Sequence, residues 1–202
     1  MTSLIQQWAE VDEDQLTRLV QCLRHVGIAR YLKARRIDDA RLELLVARLP
    51  TGERFQNTDL VNILDVGFGL SQALPVWVAL IAAKPGRVVY IEQPELHLHP
   101  LTQSRMADVL VDMALRGVRV IVKTHSDLLL RGIQTAVAKG RIEPCRVSLH
   151  WFGRDPKTGL TREAKAPLDA DGAFGDWPSD CDDVALRAEC EYLDVVAARH
   201  RS

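Results

Sequence analysis

The chain has 202 residues, enough for one domain with an appendage and for a real apolar core. Its 26 basic and 27 acidic residues leave a formal net charge of -1, which gives no global support for binding nucleic acid or an anionic membrane, although local contact with nucleic acid stays open. Four cysteines without a Cys-x-x-Cys pair read as reduced thiols, no apolar run approaches the roughly 20 residues of a membrane span, and Met1 to Ile5 lead into acidic sequence instead of a signal-peptide core, so the expected location is cytoplasmic.

From about Asp12 to Lys33, Leu16, Leu19, Val20, Leu23, Val26 and Ile28 recur at three- and four-residue steps, which predicts an amphipathic helix, or two broken near Gly27. Arg24, Arg30, Lys33, Arg35 and Arg36 read as a solvated basic face. Leu42 to Leu49 reads as a strand entering the turn Pro50-Thr51-Gly52-Glu53, with Val61 to Leu64 returning as its partner. Gly67-Phe68-Gly69-Leu70-Ser71-Gln72 then leads into an apolar helix expected to begin at Ser71 and Gln72. Free N–H groups behind glycines favour an anion there, and an ordinary capped helix start fits the same residues.

Arg87-Val88-Val89-Tyr90-Ile91-Glu92 reads as a buried parallel strand that delivers a carboxylate into the proline-broken corner Gln93-Pro94-Glu95-Leu96-His97-Leu98-His99-Pro100. Carboxylates at such strand ends commonly hold Mg²⁺ beside a nucleotide phosphate, so the stretch has the form of a Walker B element. Leu101 to about Arg116 is the next helix, with Met106, Val109, Leu110 and Met113 inward and Gly117 closing it. Val118 to Lys123 is a second buried-type strand ending in Thr124-His125-Ser126-Asp127. Strand, helix and strand make a βαβ unit, which puts Glu92 and His125 on neighbouring loops at one sheet edge. Leu128 to Ala138 continues as a helix. Arg146 to Phe152 and Leu160 to Leu168 form a hairpin around Thr158-Gly159, and a tail with Trp177-Pro178 and a helix from about Asp182 to Ala198 follows.

The Gly69-Leu70-Ser71-Gln72 piece, the Ile91 to Pro100 corner and Val122-Lys123-Thr124-His125-Ser126 together resemble the C-terminal half of ABC-type AAA ATPases of the SMC/OLD-like branch, with a short C-terminal domain resembled from Gly172 onward. The resemblance implies the C-terminal lobe of a P-loop NTPase-like α/β sheet with flanking helices and a small α+β appendage. It divides the chain into a helical segment 1–40, an ATPase lobe 41–145 and a hairpin-and-helix appendage 146–202. It also implies ATP and Mg²⁺ as ligands. Gly69, Ser71 and Gln72 would reach the γ-phosphate of a nucleotide held mainly by a second protomer, Glu92 would orient Mg²⁺, His125 would be the switch histidine, and Leu96 to Pro100 would cross a dimer interface.

Two departures shape the expectation. Many relatives carry a glutamate after the Walker B acid, where this chain has Gln93, which accepts no proton at neutral pH, so Glu95 stands as the substitute base, or hydrolysis is slow or absent. No Gly-x-x-x-x-Gly-Lys-Ser/Thr occurs in these residues, and Gly153 to Gly159 has the wrong spacing. The expected role is a partial ATPase that is active only with a P-loop-bearing partner or in a homodimer. The alternative is a non-hydrolysing interaction module of the same fold. A remoter reading makes His97, His99, Glu95, Glu92, His125 and His150 ligands of a metal-dependent hydrolase.

Overall fold

The computed structural model describes residues 1–38, 41–47, 60–155, 157–174 and 191–194 of a mixed α/β chain. It divides into two units, Met1–Ala136 and Val137–Ser202.

The first unit opens with two helices. α1, Thr2–Val11, precedes the helix read from about Asp12, within the segment 1–40 expected to be helical, and buries Ile5 and Trp8. α2, Glu13–His25, is capped by Asp12, whose carboxylate accepts from the Gln15 N–H at 3.3 Å. The stretch expected to be helical to about Lys33, as one helix or as two broken near Gly27, stops being helical at His25. Gly27 takes a left-handed φ of +78°, and the chain turns into strand β1, Tyr31–Arg36. From there Leu32 is buried and Lys33 exposed, the alternation of a strand. β1 pairs antiparallel with β2, Leu42–Ala47, and β2 pairs on its other side with β3, Val61–Asn62. The expected Pro50 to Glu53 turn lies outside the described residues.

α3, Phe68–Ala82, follows. It starts three residues before the expected Ser71, because Gly67 at φ +102° already makes the break and Phe68 enters the helix. The expected βαβ unit is present: β4, Val88–Glu92, runs parallel to β5, Arg119–Lys123, with α4, Pro100–Leu115, between them. Its helix is punctuated as its residues dictate. His99 caps the start, Pro100 fills the first position, and Gly117 at φ +86° closes the end, where the Val118 N–H returns to the Met113 carbonyl at 3.1 Å. α5, Asp127–Ala138, then crosses α4 closely, since a Cβ on Gly132 would stand 2.4 Å from the Ala107 Cβ.

Ile5, Trp8, Leu23, Leu74, Trp77 and Met106 belong to one apolar cluster that also takes in Ile91 and, at its edge, Val89, Val120 and Val122. The expectation that β4 is buried on both faces is corrected here. Only the Val89 and Ile91 face meets this core. Val88, Tyr90 and, across the register, Ile121 are 56%, 61% and 53% exposed.

In the second unit, β6, Leu149–Arg154, and β7, Thr161–Ala166, form the expected antiparallel hairpin. Its turn is organised by Asp155, whose Oδ1 accepts from the Lys157 and Thr158 N–H groups at 2.8 and 2.9 Å. These bonds, the Thr158 one first, hold the Asp155 carboxyl below its ordinary pKa, with Arg162 alongside. Of the expected tail helix, residues 191–194 are described and helical. Trp177-Pro178 and the remainder lie outside the described residues.

Candidate functional site

The carboxyl ends of β4 and β5 bring Glu92, Gln93, Glu95 and His125 to one sheet edge. Glu92 and Lys123 are register partners at the ends of the two strands, and their side chains form an ion pair, each more than half exposed. The Glu92 hydrogen bond is the main cause that raises Lys123 above its ordinary pKa, so the ammonium is firmly charged. The last ladder bond runs from the Gln93 N–H to the Lys123 carbonyl at 2.7 Å.

Beyond Glu92 the chain makes a tight turn bracketed by two non-glycine residues with left-handed backbone, Gln93 at φ +45° and His97 at φ +62°. Within it the Leu96 N–H bonds the Gln93 carbonyl and the Leu98 N–H bonds the Glu95 carbonyl. Pro94 and Glu95 are turned inward, whereas Leu96 and His97 face out. The Glu95 side chain is 8% exposed, and its Oε1 accepts the main-chain N–H of His125 at 2.9 Å.

Thr124-His125-Ser126 reads differently once folded. Thr124 Oγ1 accepts from the Ser126 N–H, and Ser126 Oγ caps α5 by accepting from the Leu129 N–H. The flanking hydroxyls thus shape the loop, and the side chain left exposed is that of His125. A further brace ties the two loops together: Ser126 Oγ donates to Gln103 Oε1, and Gln103 Nε2 donates to the Leu98 carbonyl. Lys123, Gln103 and Ser126 were not among the sequence candidates. Gln103 carries no local signal at all.

The glycine-led helix meets the same turn. A Cβ on Gly69 would stand 2.6 Å from the His97 carbonyl oxygen, so the first turn of α3 packs directly on the loop after β4. A cleft of about 240 Å³ lies there, lined by Gly67, Gly69, His97, His99 and Thr102 among others. Ser71 and Gln72 sit one turn further into α3, Ser71 partly buried and Gln72 exposed. The larger cleft, about 500 Å³, is lined from α2, α3 and α4 and includes none of the strand-end residues. Burial, with Asp112 adding to it, pushes the Cys22 thiol in that cleft up to about 12, which leaves it no nucleophile.

Among the described residues, no group of three or more His, Cys, Asp or Glu side chains converges as a metal site. Two of the histidines in the hydrolase reading are engaged elsewhere. His99 Nδ1 accepts from the Leu101 N–H, and His150 engages Glu163 at 2.6 Å in the second unit. Glu92, exposed and paired with Lys123, offers one carboxylate, and Mg²⁺ is a hard cation that keeps most of its waters and takes one or two protein oxygens.

Comparison with known proteins sets the class. The family described as "AAA domain, putative AbiEii toxin, Type IV TA system" matches residues 27–131, just over half of the chain, and the chain belongs to that family. No curated protein sequence matches significantly. Among solved structures, the chain is similar to one from work on ATP-driven dimerization and DNA-stimulated activation of SMC ATPases, at a TM-score of 0.53 and 14% identity over 83% of this chain and 91% of that one. It is also similar to an SmcHead bound to the C-winged helix domain of ScpA, at a TM-score of 0.53 and 14% identity over 78% of this chain and 43% of that one. The fold is therefore that of SMC ATPase heads, a P-loop NTPase-like α/β fold, and the chain spans less than half of the second head. No described helix is long and apolar enough to cross a membrane.

Proposed function

We propose that this chain supplies part of an ATP site that is completed by a phosphate-binding loop lying outside these 202 residues, on a P-loop-bearing partner or across a dimer. Glu92 would hold Mg²⁺ in the completed site. His125 contacts the γ-phosphate or the attacking water, and Gly69, Ser71 and Gln72 approach a nucleotide held by the other protomer. Mg²⁺, when bound, neutralises phosphate charge; the chain's own residues orient and exclude water.

The observation that carries this reading is the outer face of β4 and β5. Parallel pairs are normally covered on both faces. Here Val88, Tyr90 and Ile121 stand exposed, and the same face runs directly into Glu92 and Lys123. A partner seated on that apolar strip would bring its phosphate loop to the carboxylate that lacks one. Membership of the AAA family and the SMC-head fold support ATP as the nucleotide. The second reading, a module that binds without hydrolysing, is favoured by Gln93, an amide where many relatives carry a carboxylate. The test is ATP turnover by the isolated chain and by its native complex, with Glu92→Gln and His125→Ala alongside.

A further inference from the structure

We infer that Glu95 is a positioning residue: resting on the ATP-site reading above, it fixes the main chain of His125 and is not the base that replaces the carboxylate missing at position 93. A general base must touch the water it deprotonates. The Glu95 carboxyl is turned into the protein, with Oε1 engaged by the His125 N–H at 2.9 Å and Oε2 buried with no hydrogen-bond partner among the described residues.

The surroundings show what that orientation achieves. The Glu95 turn is closed by its own hydrogen bonds and held by the left-handed residues Gln93 and His97. Hydrogen bonds that join it to the β5 loop among the described residues include Gln93 N–H to the Lys123 carbonyl, the Gln103 relay from Leu98 to Ser126, and Glu95 to His125. The first two pin the residues on either side. Only the third acts at His125 itself, whose side chain is exposed. The imidazole is thereby carried on a main chain set from the β4 side, so displacement of the Glu92 corner is transmitted to His125.

Two variants separate positioning from chemistry. Glu95→Gln keeps the accepting oxygen and the volume and abolishes the base; Glu95→Ala removes the acceptor. In the full chain, amide hydrogen exchange at His125 should accelerate by about tenfold or more in Glu95→Ala and stay within about twofold in Glu95→Gln. In the native ATPase complex, Glu95→Gln should keep kcat within about threefold, while Glu95→Ala lowers kcat by about tenfold with KM little changed. Loss of about a hundredfold or more in Glu95→Gln would identify a base and overturn the inference. Unchanged exchange at His125 in Glu95→Ala would overturn it equally. If Glu95→Ala does not fold, Glu95→Gln alone decides, since it must preserve both exchange protection and turnover. A native complex without ATPase activity would count against the ATP-site reading, while the exchange data would still decide the hydrogen bond.

Discussion

Glu92 and Lys123 end adjacent parallel strands in register and pair through their side chains, so the carboxylate proposed for Mg²⁺ is engaged by an ammonium from the neighbouring strand. The pair raises the Lys123 pKa, which shrinks the neutral fraction that reacts with acylating reagents. At pH 8, Lys123 should therefore acetylate more slowly than the exposed Lys139 and Lys157, as followed by peptide mapping. Glu92→Gln should speed Lys123 and leave the other two alone. Equal rates for all three in the wild-type chain would mean that the pair does not persist in solution.

The crossing of α4 and α5 leaves no room at Gly132, where a Cβ would meet the Ala107 Cβ at 2.4 Å and the Ser104 carbonyl at 2.9 Å. Gly132→Ala should destabilise the first unit by about 1–3 kcal/mol despite the better helix propensity of alanine. Adding Ala107→Gly should recover part of the loss. Thermal melts by circular dichroism read both, and a neutral or stabilising Gly132→Ala would show that the helices can part without cost.

In the second unit, the depressed pKa of Asp155 sets a pH dependence with a definite sign. The ionised carboxylate is favoured by folding, so its contribution is complete above its ordinary value of 3.8 and is lost as the pH falls through the lower folded value. The amide resonances of Lys157 and Thr158, which bond Oδ1, should titrate with a midpoint below 3.8 and should not do so in Asp155→Asn. A midpoint at or above that value would contradict the turn geometry.

The βαβ unit was legible because its punctuation is chemical. Pro100 starts α4, Gly117 ends it, and the β-branched runs on either side suit strands. α1 has its signal in Leu4, Ile5 and Trp8, which recur at helical steps beside polar residues within the segment 1–40 expected to be helical. The break near Gly27 was open in the sequence, but β1 was hidden because Leu23, Val26 and Ile28 continue the spacing of α2 past that glycine and favour a second helix over a strand. The exposure of Val88, Tyr90 and Ile121 could not be read from residue types, since an apolar run on both faces of a strand says only that both faces favour burial. Glu92 and His125 were placed at one edge by topology alone. The bond from the His125 N–H to Glu95 joins positions 30 residues apart in sequence, and no local pattern encodes it.

The central claim is that Glu92 serves an ATP site this chain does not complete alone. It is tested by tagging the chain in its native cells, purifying the wild-type and Glu92→Gln complexes at matched composition, and measuring ATP turnover beside the isolated chain. The isolated chain should show no turnover above background, the wild-type complex should turn over ATP, and the Glu92→Gln complex should lose about tenfold or more. Hydrolysis by the isolated chain, or equal turnover by the two complexes, would contradict it.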